Sequence, residues 1–140
     1  MRRIRNMVRG FTLIELLIVL AVIAALLAIV TPIALNAVAQ AKATQVASNL
    51  RNIRSAAESF VMINKSATGL TIDNLKTQGY LTNTAGLENY TITATQAATV
   101  VSAEVKYTGG VDISKLTSIL PEATGTDNNV TYSFSIPIWW

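Results

Sequence analysis

A chain of 140 residues with a formal charge of +3 and a pI near 9.5 has room for one small domain. Arg2, Arg3, Arg5 and Arg9 account for the basic balance. Beyond Gly10 seven Lys and Arg face eight Asp and Glu, a net of −1, so charge gives no indication of a nucleic-acid partner. Histidine and cysteine are both absent, which excludes disulfides, Cys- or His-ligated metal sites and any His-based triad. The carboxylates beyond the apolar run show no paired spacing, and Ser114 and Lys115, being adjacent, point about 100° apart on a helix. No catalytic residue, metal or cofactor is expected.

Residues 1–10 form a short basic leader. Phe11 to Val30 follows as FTLIELLIVLAVIAALLAIV, twenty residues with the single charge Glu15. At ~1.5 Å per residue such a helix spans roughly 30 Å, the hydrocarbon thickness of a bilayer. The positive-inside rule then puts residues 1–10 in the cytoplasm and the chain beyond Val30 outside. A secretory signal peptide is the alternative, but its apolar region is about 7–15 residues long and ends at a small-x-small cleavage site. Here the run is longer and the helical pattern continues. A carboxylate near a bilayer centre costs about 2.5–3.5 kcal/mol. Nothing within its own helix is expected to neutralise Glu15, so it needs a partner or a place among the lipid headgroups.

The run Arg9-Gly10-Phe11-Thr12-Leu13-Ile14-Glu15-Leu16, followed by unbroken apolar sequence, resembles the class III leader and N-terminal helix of type IV pilins and pseudopilins. The resemblance covers roughly the first 35 residues. It implies that a prepilin peptidase cuts between Gly10 and Phe11 and methylates the new Phe11 amine. It also implies that Glu15 meets the amine of a neighbouring subunit's Phe11 as a fibre grows. A residue without Cβ at position 10 suits the close backbone approach of a protease site. The implied partners are further copies of the chain in a helical filament, the prepilin peptidase and an inner-membrane assembly platform. The lipid bilayer holds the chain before assembly. The implied localisation is a single-pass precursor in the cytoplasmic membrane, then an extracellular pilus or an envelope-spanning fibre.

Pro32 interrupts the backbone hydrogen bonding of the run, and a kink or stretched segment is expected there. Residues 11–33 read as the membrane-spanning, assembling half of one long helix and residues 34–66 as its amphipathic half. In that second half Val46, Leu50, Ile53, Ala57 and Phe60 recur at spacings of four, three, four and three, one apolar stripe. A lone helix of this length buries little, so the stripe needs a cover. Residues 67–140, a β-rich head, are the expected cover.

In the head, Thr71 caps a predicted short helix over Ile72 to Gln78 that Gly79 stops. Strands are expected at Asn89 to Thr95, Val101 to Tyr107 and Val130 to Ile138, each alternating apolar and polar residues. Gly109-Gly110 and Asp127-Asn128-Asn129 read as turns, and Asp112 caps a second short helix that Pro121 ends. Trp139-Trp140 either pack on the head, which their large area favours, or meet another subunit or surface. The fold class is α+β, a long N-terminal helix packed on a small antiparallel sheet of about three to four strands. The expected function is that of a structural subunit of a type IV pilus-like fibre. The alternatives are a pseudopilin of a type II secretion or DNA-uptake machine and, outside the family, a single-pass anchored binding domain.

Overall fold

A computed structural model describes residues 10–83 and 85–140. The leader arginines Arg2, Arg3, Arg5 and Arg9 lie outside the described residues. The chain divides into two compact units, Met1–Ala37 and Val38–Trp140. A 52-residue helix, α1 (Leu13–Asn64), supplies segments to both.

In the first unit every large apolar side chain from Phe11 to Leu35 is exposed. This part of α1 is long and apolar enough to cross a membrane. The helix runs without a break across Pro32. Pro32 has no N–H to give the carbonyl one turn back. Next to it the Thr31 hydroxyl donates to the Leu27 carbonyl at 2.7 Å, a back-bond of the kind that bends helices.

In the second unit the remainder of α1 is followed by α2 (Ile72–Thr77), β1 (Tyr90–Gln96) and β2 (Val100–Tyr107). Then come α3 (Ile113–Ile119), β3 (Ala123–Thr126) and β4 (Asn129–Pro137). The strands form one antiparallel sheet in the order β1-β2-β4-β3. Alternation decides its faces. Tyr90 and Ile92 of β1, Val101 to Tyr107 of β2 at every second position, and Val130, Tyr132, Phe134 and Ile136 of β4 are buried. They form one core with Val46, Leu50, Ile53, Ala57 and Phe60 of α1, all of them buried. Thr91, Thr93, Ser102, Ser133 and Ser135 occupy the exposed face.

Both short helices begin on side-chain caps. The Thr71 hydroxyl accepts from the Asn74 N–H and the Asp112 carboxylate from the Lys115 N–H. Asp127 adds a second acceptor at the start of α3, taking the Ile113 N–H at 2.9 Å.

Two sequence expectations need correction. The sheet has a strand, β3, that the three expected strands did not include; its Ala123-Thr124-Gly125-Thr126 pairs with the first half of β4. Only Ala123 of the four is buried, so hydrophobic alternation could not mark it. The Asp127-Asn128 turn is thereby the link of a β3–β4 hairpin. Packing of Trp139-Trp140 on the head is also overturned. Trp139 is 79% exposed and Trp140 38%, and the rings meet each other edge to face at 5.9 Å.

Gly125 of β3 has φ +122°, where side chains are strained, and a Cβ there would collide with the Asn129 carbonyl oxygen. Gly125→Ala should therefore destabilise the head by about 1–3 kcal/mol. Thermal melting checks this, and an unchanged melting temperature would place the β3–β4 hairpin elsewhere.

Candidate assembly site at the helix start

The first turn of α1 is built by a reciprocal cap. Thr12 precedes the helix, and its hydroxyl accepts from the Glu15 N–H at 3.3 Å. The Glu15 carboxylate reaches back to accept the Thr12 N–H at 2.7 Å and the Thr12 hydroxyl at 2.8 Å. This is a capping box, which satisfies two backbone donors that a helix N-terminus otherwise leaves open. The positive end of the helix dipole adds to the hold on the carboxylate. Both donors are neutral, so the cap holds the carboxylate without neutralising its charge. The Thr12-Leu13-Ile14-Glu15 spacing was the readable sign of it.

Gly10 and Phe11 lie just before this turn, and the Phe11 side chain is 88% exposed. Among the described residues, a Cβ at Gly10 would meet nothing within 4 Å. Gly10, Phe11, Thr12 and Glu15 thus come together as one short segment. Pro32 lies farther along α1 and takes no part in it.

The packing residues of the second unit are positioned differently. The stripe is wider than its sequence spacing suggested, since Ala43, Ala47, Ala56 and Val61 are buried beside it. Sequence reasoning also missed Arg54. Its guanidinium donates to the Tyr132 hydroxyl at 3.0 Å and to Glu58 at 2.8 Å, and lies 5.5 Å from the centre of the Phe134 ring. Arg51 donates to the Ile119 carbonyl at 2.8 Å. Two arginines therefore fix the helix against β4 and α3. Asn49 donates to the hydroxyl of Tyr90, whose burial pushes that phenol up to about 12.

Residues 5–31 match the family described as prokaryotic N-terminal methylation motif. The matched stretch contains Gly10, Phe11, the capping box and most of the exposed apolar helix. The chain thus carries the class III leader motif characteristic of type IV pilins and pseudopilins. Comparison with curated proteins and with solved structures found no match. The motif and the apolar helix fit a membrane-anchored precursor.

Proposed function

We propose that the chain is a structural, non-enzymatic subunit of a type IV pilus-like extracellular fibre. Residues 1–10 are removed by a prepilin peptidase, Phe11 becomes the methylated N-terminus, and subunits polymerise through residues 11–33. The observation that carries this reading is the methylation motif leading directly into an apolar half-helix whose side chains are all exposed. Such a surface has to be covered, first by lipid and then by other copies of the same helix. The capping box holds the Glu15 carboxylate on Thr12, the residue after the proposed new N-terminus. Like-oriented subunits repeat that pair along a fibre. Bending of α1 at Pro32 belongs to the same proposal, and so does an assembly platform in the inner membrane.

The processing step has a direct test. A bulky side chain at position 10 should bar the close backbone approach that cleavage needs. Gly10→Leu should leave the precursor uncut, so that its intact mass retains the leader and cells carry no fibres. A Gly10→Leu chain that matures at the normal mass would remove Gly10 from the cleavage site.

A further inference from the structure

Three triplets of the chain have the form of an N-glycan acceptor: Asn64-Lys65-Ser66, Asn89-Tyr90-Thr91 and Asn129-Val130-Thr131. As sequence they are equivalent. The fold separates them. Asn89 leads into β1 and Asn129 opens β4, and in extended chain residues two apart share a face. Asn129 and Thr131 belong to the outer face of the sheet, with Ser133 and Ser135. The Asn89 carbonyl accepts the Thr108 N–H at 3.0 Å, which carries the β1–β2 pairing one residue further and gives Asn89 the face of Thr91. Both asparagines are exposed. Among the described residues, neither of their side-chain amides has a hydrogen-bond partner.

The third triplet is built differently. Asn64 is the last residue of α1, and its side-chain amide donates to the Phe60 carbonyl at 3.0 Å. Lys65 then turns the chain with φ +52°, and the Ser66 hydroxyl accepts the Thr68 N–H at 3.0 Å. The amide and the hydroxyl of this triplet are thus both engaged in ending the helix.

Strand order brings the two free triplets together. Thr91 is aligned with Lys106 and Lys106 with Thr131, one row across β1, β2 and β4. β1 and β4 run in the same direction, because each is antiparallel to β2. Asn89 and Asn129 therefore both stand two residues before that row, at one end of the sheet and on one face. Two strand spacings, about 10 Å, lie between them.

We propose that Asn89 and Asn129 are N-glycosylation sites, carrying two glycans side by side on the outer face of the head. The side-chain amide nitrogen attacks the anomeric carbon of a lipid-linked oligosaccharyl diphosphate. A C–N bond forms as the C–O bond to the diphosphate breaks. The lipid diphosphate leaves with the bonding pair, and the amide gives one proton to a base of the transferring enzyme. Thr91 and Thr131 present their hydroxyls on the same side as the reacting nitrogen, where one enzyme surface meets both groups. The inference needs a head that reaches the outer side of the membrane, and it does not need polymerisation.

The chain purified from the cells that naturally make it supplies the test. Its intact mass should exceed that of its own polypeptide by two glycan increments. Asn89→Gln and Asn129→Gln should each remove one increment, the double variant both, and Asn64→Gln none. Thr91→Val and Thr131→Val should each remove the increment of the asparagine two residues earlier, while Thr91→Ser and Thr131→Ser retain it. Proteolytic peptides of the wild-type chain give a readout without any variant: those holding Asn89 and Asn129 should carry the added mass, and the one holding Asn64 should not. A wild-type chain at its bare polypeptide mass would overturn the proposal. So would a glycan at Asn64, a glycan at only one of the pair, or sugar that the Asn→Gln variants keep and the Thr→Val variants lose. Glycans on a chain that never enters a fibre would support this proposal and remove the fibre reading. Fibres of a bare chain would do the reverse.

Discussion

Cells producing only Glu15→Gln subunits should insert and process the chain normally and yet lose their fibres. Glutamine keeps the shape and the acceptor oxygen, and a capping box accommodates Gln in place of Glu, so the first turn of α1 should persist. The negative charge is what disappears. In the proposed fibre each Glu15 lies in an apolar setting near the amine that cleavage creates on a neighbouring Phe11. Opposite charges attract more strongly as the dielectric falls, so that amine offsets much of the cost of burying the carboxylate. Removing one partner leaves the other buried and unpaired, which costs about 3–5 kcal/mol. Fibre yield should therefore drop at least about tenfold at an equal level of mature protein. Electron microscopy and a sheared-fibre assay check this. Fibres of wild-type number and length would mean that the Thr12 cap, and not a neighbouring subunit, is the only partner Glu15 needs.

Phe60→Ala should have the largest effect on the head. Phe60 is 3% exposed and meets Tyr80 edge to face with ring centres 5.7 Å apart. Truncating a buried phenylalanine costs about 3–5 kcal/mol, from lost transfer energy and the cavity left behind. In a soluble fragment lacking residues 1–33 the melting temperature should fall by roughly 12 °C or more, at about 4 °C or more per kcal/mol for a domain of this size. Ile63→Ala is the control, because Ile63 is 69% exposed and lies three residues farther along the same helix. It should change stability by no more than about 0.5 kcal/mol. Equal shifts for the two variants would show that a different face of α1 is covered.

Those two residues also illustrate what the sequence makes legible. A 3.6-residue period selects the face of α1 that holds Phe60 and leaves Ile63 outside, and a two-residue period selects the inner faces of β1, β2 and β4. Caps at Thr71 and Asp112 are readable for the same reason: their geometry is local. What periodicity cannot register depends on contacts far along the chain. β3 is defined by its pairing with β4 and by one buried alanine, so Ala123-Thr124-Gly125-Thr126 carries no pattern of its own. Arg54 reads as a polar surface residue, and only the placement of Tyr132 and Phe134 makes it a tie between α1 and β4. At the candidate site, Gly10, Phe11 and Glu15 are marked by sequence alone because their spacing along the chain is the motif. The role of Thr12 is equally local, since a Thr and a Glu three residues apart are enough to form a capping box.

The most direct test of the central claim is the mass and N-terminal sequence of the chain recovered from sheared fibres and from membranes. The account predicts a chain beginning at Phe11, with one methyl group on its amine, in both fractions. A chain that retains Met1 and stays in the membrane would make it a simple anchored protein. A chain beginning beyond about residue 30 would make the apolar segment a secretory signal, and either result would contradict the fibre-subunit reading.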